Sequence, residues 1–97
     1  MPAYVIVNIE VTDPVAFEPY RAAVPPVIAR FGGRYIVRGG DLHVIEGEPP
    51  LKRLVILEFP NMDAARAFYG SEEYAPLLKL RLAATRSEMV LVDGYAG

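Results

Sequence analysis

The sequence has 97 residues, a length that suits one domain with a single hydrophobic core, and we expect residues 1–97 to form it. Hydrophobic residues make up 53% and charged residues 23%, which favours a folded chain over a disordered one. The net charge of -2 offers no basic excess for a phosphate backbone, so nucleic acid is excluded as an expected partner. The chain has no cysteine, which excludes disulfides, thiolate nucleophiles and thiolate metal ligands.

The first ten residues, MPAYVIVNIE, lack the positively charged segment that opens a secretory signal. No apolar run approaches the roughly 20 residues that span a membrane. We therefore expect a cytoplasmic protein without membrane contact.

The first half of the chain predicts a strand followed by a helix. Tyr4 to Val11 is a β-branched run. Asp13 is placed to cap the helix and Pro14 suits its first turn. Apolar residues then recur at spacings of three and four from Phe17 to Phe31. The pair Pro25-Pro26 is expected to kink or split this helix, since each ring removes an amide donor.

The middle of the chain predicts extended segments. Gly32-Gly33 ends the helix, and Arg34 to Arg38 is the second strand. Gly39-Gly40 is either the turn of a hairpin or a bulge in one long strand, and the residues do not decide between the two. Leu42 to Glu46 is predicted to be extended again.

The remaining segments predict a strand, a broken helix and a closing strand. Gly47 to Leu51 is a proline-containing loop, and Arg53 to Phe59 is the most strand-like stretch. Asn61 caps a helix through Tyr69, and Ser71 caps a second one through Leu82. Glu88 to Asp93 closes the sheet.

The resulting order, βαβ(β)βαβ, predicts an α+β fold, the ferredoxin-like sandwich with an antiparallel sheet. Its helices cover one sheet face, so the other face of a monomer should be polar. The strand pattern contradicts that expectation. One face carries Val5, Val7, Ile9, Val11, Val55, Leu57 and Phe59, and the opposite face still carries Tyr4, Ile6, Ile36, Leu54 and Ile56. We expect a homodimer whose sheets face each other and cover the second apolar patch.

Motifs for bound groups are missing. His43 is the only histidine, with no second imidazole to help hold a metal, and a surface or packing role is the expected one. The glycine pairs do not have the spacing of phosphate-binding loops. We predict no cofactor and no metal site.

Polar residues in apolar surroundings are the candidate site. Glu58 is the candidate catalytic residue, because a carboxylate beside Ile56 needs a partner or takes up a proton. Arg34 is the expected cross-strand partner, and a purely structural pair that sets strand register or the dimer is the competing interpretation. The candidate binding residues are Asn8, Arg34, Arg38, Tyr69, Tyr74 and Arg81.

Several segments together resemble the domain-of-unknown-function family numbered 1330. They are AYVIVNIEVTD (residues 3–13), GGRYIVRGG (32–40), VILEFP (55–60), AFYGSEEY (67–74), Arg81 and MVLVDGY (89–95). The resemblance implies a dimeric α+β barrel, related in architecture to the antibiotic-biosynthesis monooxygenases and similar small cofactor-free proteins. It implies no activity, and likeness of fold alone does not supply one.

Two hypotheses follow for the function. In the first, the protein binds a small anionic or phenolic molecule, as a binding protein or a cofactor-free enzyme, with Arg34 and Arg81 holding the anionic group and Glu58 or a tyrosine moving a proton. In the second, it is a non-catalytic dimeric structural or interaction module, and the polar residues serve register and assembly.

Overall fold

The computed structural model describes residues 1–96 and shows an antiparallel sheet with three helices on one face; Gly97, included in the expected domain, lies outside the described residues. The elements are β1 (Ala3–Val11), α1 (Pro14–Arg30), β2 (Arg34–Arg38), β3 (Leu54–Phe59), α2 (Met62–Tyr69), α3 (Ala75–Ala84) and β4 (Thr85–Asp93). The strand order is β2-β3-β1-β4. This confirms the predicted ferredoxin-like α+β fold.

Side-chain caps begin two helices where the sequence predicts them. The Asp13 carboxylate accepts a hydrogen bond from the Ala16 amide at 3.1 Å, and Asn61 accepts one from Ala64 at 2.8 Å. Ser71 accepts from the Tyr74 amide at 3.1 Å, but α3 itself begins at Ala75. Ser71 therefore caps the turn that leads into α3.

Of the kink or split expected at Pro25-Pro26, the split is wrong, because α1 runs as one 17-residue helix through both prolines. The φ angle of proline is itself close to the helical value, so the cost lies in the lost amide donors. Val24 and Ile28, on either side of the pair, are buried in the core. Their burial holds the helix together across the prolines.

The expected extended segment at Leu42–Glu46 is also wrong, since residues 39–53 form a loop between β2 and β3. Ile45 is 90% exposed, so no apolar face is buried there that would stabilise a strand. Gly39 has a φ of 69° and starts the loop directly after β2. The glycine pair is thus neither a tight hairpin turn nor a bulge in a continuous strand.

The last strand begins at Thr85 rather than at Glu88. Thr85 pairs with Val11 and Ser87 with Ile9, so β4 runs along the full length of β1. Pairing with β1, and not the local sequence pattern, extends β4 toward its amino end.

The core lies between the helices and one sheet face, and the expected alternation is confirmed. Ala3, Val5, Val7 and Ile9 of β1 are all buried beneath the helices. The other face, which we call the open face, has no helix over it. It comprises Tyr4, Ile6, Asn8, Arg34, Leu54, Ile56, Glu58, Glu88, Val90 and Val92. The sheet is therefore apolar on both faces, with a cover on only one.

The first prediction concerns Phe68, which is 1% exposed and packs with ring centroids 5.3 Å from Phe59 and 4.5 Å from Tyr74. We expect Phe68→Ala to lower the free energy of unfolding by about 3–5 kcal/mol, because it leaves a cavity in the core. The matched control is Leu82→Ala on α3, where Leu82 is 60% exposed and the change should stay within about 0.5 kcal/mol. Urea denaturation measures both, and equal losses would contradict this account of the core.

Candidate functional site

A cleft between α1 and the sheet, which we call the α1 cleft, holds a cavity of about 40 Å³. Its walls are largely apolar and include Val7, Ile9, Phe17, Val24, Val55 and Leu57. Its polar groups are three guanidinium groups and three phenols, from Arg21, Arg38, Arg53, Tyr20, Tyr35 and Tyr74. The cleft thus combines an apolar lining with cations and hydrogen-bond donors.

A bulge in β2 brings Arg38 to this cleft. Arg34 pairs with Glu58 on the open face, and strict alternation would place Arg38 on that same face. The register shifts between Tyr35 and Val37, so Arg38 lies opposite Val55 instead. Its guanidinium carbon is 4.4 Å from the centroid of the Tyr35 ring, a cation–π contact that positions the charge at the cleft.

Arg53 enters the cleft at the end of the long loop. It precedes β3 and shares the helix-side face of Val55 and Leu57 by alternation. The backbone of Gly39 lies directly against its guanidinium, because a Cβ added at Gly39 would be 2.7 Å from the Arg53 Cζ. A side chain at Gly39 would displace the end of the Arg53 side chain, and the positive φ of Gly39 also favours glycine there.

Buried hydrogen bonds join Tyr20, Tyr74 and Arg81. The Tyr20 and Tyr74 hydroxyls are 3.0 Å apart, and the Arg81 Nε donates to the Tyr74 hydroxyl at 3.2 Å. Either hydroxyl can be the donor of the bond between the two tyrosines. When Tyr74 donates to Tyr20, the Tyr20 O–H is left to donate into the cleft. Burial and the neighbouring Tyr74 raise the pKa of Tyr20 above its ordinary value, so this phenol stays protonated.

Arg81 is a buried cation, with 3% of the residue exposed. Its other hydrogen bond goes to the Ser87 hydroxyl on β4. Within residues 1–96 no carboxylate forms an ion pair with it. A desolvated guanidinium held only by hydroxyl groups leaves its positive charge uncompensated behind the tyrosines of the cleft.

A second cavity of about 260 Å³ lies beside the α1 cleft on the same sheet face. Its lining is Val5, Phe68, Tyr69, Met89 and Leu91. Tyr69 is the polar residue of this set, and its ring centroid is 5.9 Å from that of Tyr74. Tyr35, in the α1 cleft, has its pKa raised mainly by burial.

The expected cross-strand pair of Arg34 and Glu58 is present and lies on the open face. The Arg34 Nε donates to the Glu58 carboxylate at 2.8 Å, and the Tyr4 hydroxyl donates to it at 3.2 Å. The bond from Arg34 is the main cause that holds the pKa of Glu58 below its ordinary value. Partial burial and the bond to Glu58 raise the pKa of Tyr4.

Asn8 anchors the long loop to the sheet. Its amide nitrogen donates to the Pro50 carbonyl and to the Glu88 carboxylate, each at 3.0 Å, and its oxygen accepts from the Lys52 amide at 2.8 Å. This use of both the donor and the acceptor explains a polar residue in the middle of an apolar strand.

The structure divides the residues that the sequence singled out between two faces. Arg38, Tyr69, Tyr74 and Arg81 lie on the helix side, whereas Asn8, Arg34 and Glu58 belong to the open face. The expectation that Arg34 and Arg81 hold one anion together is not met by this arrangement. Glu58 lines neither of the two cavities.

Sequence reasoning missed Tyr20, Tyr35 and Arg53. Two of them carried a usable signal: Tyr20 belongs to the helical stripe of Val24 and Ile28, and Arg53 continues the alternation of β3. Arg38 was singled out, but its side of the sheet depends on the bulge, for which the sequence shows no signal.

Residues 1–96 contain neither a cluster of metal ligands nor a membrane-spanning helix. Among them no group of three or more His, Cys, Asp or Glu side chains is arranged to hold a metal ion. No helix in that range is long and apolar enough to cross a membrane.

Fold and cavities define a small ferredoxin-like α+β protein with a cation-lined cleft under its first helix. The chain belongs to the family described as domain of unknown function (DUF1330), whose sequence model matches residues 2–95. The resemblance found in the sequence is thereby confirmed. No curated protein matches the chain.

Solved structures with the same fold come from several bacteria. The RPA0582 protein of unknown function from Rhodopseudomonas palustris is 19% identical, with a TM-score of 0.79 over 99% of this chain and 84% of that one. A dimeric ferredoxin-like protein of unknown function from Jannaschia sp. CCS1 is 14% identical, with a TM-score of 0.65 over 97% and 100%. SnoaB, a cofactor-independent oxygenase from Streptomyces nogalater, is 18% identical, with a TM-score of 0.62 over 99% and 95%. At these identities the likeness shows the fold alone.

The second prediction uses the lowered pKa of Glu58. Because the folded carboxyl has a lower pKa than the ordinary 4.5, the unfolded chain takes up the proton first as the pH falls. The pair with Arg34 therefore stabilises the fold fully at a pH above the unfolded-state pKa of Glu58. This stabilisation is lost as the pH falls through the lower, folded-state pKa. We expect Glu58→Gln to lower the melting temperature at pH 7 and to lower it progressively less as the pH falls below the ordinary pKa of the carboxyl group. Thermal unfolding at a series of pH values from 7 downward measures the difference in melting temperature between variant and wild type, and a difference that grows toward low pH would contradict the prediction.

Proposed function

We propose that this protein binds a small organic anion with an apolar body, and that the anionic group lies in the α1 cleft beside Arg38 and Arg53. The single observation that carries the proposal is the gathering of cations and phenols in one apolar cleft. Arg21 lines the same cleft but is already 3.7 Å from Glu18, so the other two arginines are the proposed ligand contacts. Carboxylates and phenolates fit such a site, because both accept the hydrogen bonds that guanidinium and phenol groups donate.

The electrostatics of the cleft support an anion further. The buried charge of Arg81 reaches the cleft through the hydroxyls of Tyr74 and Tyr20. Within residues 1–96 no carboxylate compensates the charge of Arg81. An anion that accepts a hydrogen bond from Tyr20 compensates it. We propose Tyr74 and Arg81 as residues that position Tyr20.

The lining favours binding over proton transfer. It includes no histidine and no carboxylate, and the raised pKa values of Tyr20 and Tyr35 make these phenols donors, not bases. SnoaB is described as a cofactor-independent oxygenase, and its fold is shared. For this chain we propose a cleft that holds an anion and stabilises negative charge on its oxygen atoms. Glu58 is proposed as a structural residue of the open face.

The third prediction tests the proposed anion contacts. We expect a panel of small aliphatic and aromatic carboxylates and phenols to contain compounds that raise the melting temperature, because a ligand at ten times its Kd stabilises the native state by about 1.4 kcal/mol. Arg38→Gln and Arg53→Gln should each weaken such binding about tenfold, through the loss of a charged hydrogen bond. Thermal shift followed by calorimetric titration measures the effect.

The matched control is Arg66→Gln, since Arg66 is exposed on α2 and lines neither cavity. Its binding constants should equal those of the wild type. Stabilisation that survives both cleft substitutions, or that disappears equally in the control, would place the anion elsewhere and refute the proposal.

A second candidate function, a homodimeric module, is favoured by the open face. Val90, which pairs with Ile6, is 57% exposed, and Val92 on the same face is 45% exposed. The Jannaschia relative is described as dimeric. We propose that two copies pack these faces together to form the dimeric α+β barrel, with the Arg34–Glu58 pair setting register at the interface. This assembly is compatible with the α1 cleft, which lies on the other side of the sheet.

The fourth prediction tests that interface. Ile6 lies at the centre of the open face, between Ile56 and Val90. We expect Ile6→Glu to convert the dimer to a monomer at micromolar concentration, because it buries a charge without a partner. Val15→Glu on α1 is the control, since Val15 is 83% exposed on the opposite side of the molecule. Sedimentation velocity measures both, and a monomeric wild type would refute the proposed dimer.

A further inference from the structure

The two cavities lie over neighbouring rungs of one sheet face. Val7 pairs with Met89 and lines the α1 cleft, whereas Val5 pairs with Leu91 and lines the second cavity. Such rungs are about 7 Å apart along the strands. Arg38 on β2 lies three strands from Met89 on β4, so a chain that starts at the arginines must also cross the sheet. Phe68 and Met89 line both cavities and are the side chains between them.

The cations and the volume are divided between these cavities. The α1 cleft has the arginines but only about 40 Å³, room for a few water molecules or one functional group. The second cavity has about 260 Å³, close to the ~300 Å³ at which small-molecule sites begin, and its lining has no charged residue. A ligand with an anionic head and an apolar tail needs both.

Met89 is the movable part of the boundary. Phe68 is fixed by the rings of Phe59 and Tyr74 and is 1% exposed. Met89 is only partly buried, and its unbranched side chain has three rotatable bonds, so it changes rotamer at low cost.

We propose that the ligand is an elongated carboxylate whose head lies at Arg38 and Arg53 and whose apolar chain passes Met89 into the cavity over Val5 and Leu91. This inference rests on the proposed function and adds the substrate class, a carboxylate with a chain longer than the α1 cleft holds. Neutral molecules of equal length lack the group that the arginines hold, and short anions leave the second cavity empty.

The test is a titration of the ¹⁵N-labelled protein with butanoate, hexanoate, octanoate and decanoate, followed by NMR. We expect Kd to fall about three- to fourfold for each added methylene beyond butanoate. Amide signals of Arg38 and Arg53 should shift with every acid, and those of Val5 and Leu91 only with the longer ones. 1-Octanol, which has the chain without the carboxylate, should bind at least tenfold more weakly than octanoate.

Two variants close the second cavity. Met89→Phe blocks the passage and Leu91→Phe fills the cavity from its floor, so either should remove the dependence on chain length while butanoate still binds. Leu82→Phe, at an exposed position on α3 outside both cavities, is the control and should keep the dependence. Circular dichroism verifies the fold of each variant, and the second filling variant serves if the first does not fold.

The outcomes separate the two proposals. If butanoate binds through Arg38 but longer acids bind no better, or if both filling variants keep the length dependence, the elongated ligand is refuted and the anion site stands. If no acid binds, or if Arg38→Gln leaves every Kd unchanged, the anion site itself is refuted.

Discussion

Tyr74 is the point at which the helices and the sheet meet. Its ring is fully buried, with its centroid 4.5 Å from that of Phe68 on α2 and 6.3 Å from that of Tyr20 on α1. Its hydroxyl bonds to Tyr20 and to Arg81 of α3, and Arg81 in turn bonds to β4. Because buried hydroxyl and guanidinium groups must keep their partners, this network fixes the spacing of the helices over the sheet. The width of the α1 cleft follows from that spacing.

The two sheet faces serve different purposes in this arrangement. The helix side holds the cavities and the uncompensated charge of Arg81, whereas on the open face the Glu58 charge is already paired with Arg34. The neutralised pair of Glu58 and Arg34, beside an apolar patch, suits a contact between two identical surfaces. The buried Arg81, which has no carboxylate partner, suits the binding of an anion. In the proposed function, ligand binding and assembly therefore use separate groups.

The short strand β2 distributes charge between these faces. Arg34 and Arg38 lie on the same strand, yet the bulge turns one to the open face and the other to the cleft. The loop that follows returns Arg53 to the cleft, where Gly39 leaves room for its guanidinium. Anchoring by Asn8 ties this loop to the sheet. The proposed anion site thus depends on backbone features outside the regular sheet.

Much of the fold and part of the site could be predicted from the chain. Alternation in β1 and β3 indicated which residues form the core, and the caps Asp13 and Asn61 marked where two helices begin. The expectations failed where the local pattern was weaker than tertiary packing. The helix α1 continues through Pro25-Pro26 because its neighbours are buried, and β4 starts early because β1 offers a ladder partner.

The sequence by itself determined the strand and helix order, the apolar character of both sheet faces and the residue types that a site must use. Only the tertiary structure decided which of those residues lie together. The side of the sheet on which Arg38 lies depends on the bulge in β2, and the position of Arg81 depends on helix packing. Neither can be read from the alternation or helical spacing of the sequence. Both effects arise from contacts between residues far apart in the chain. They bring Arg38, Arg53 and Tyr20 to one cleft and leave Glu58 on the other side of the sheet.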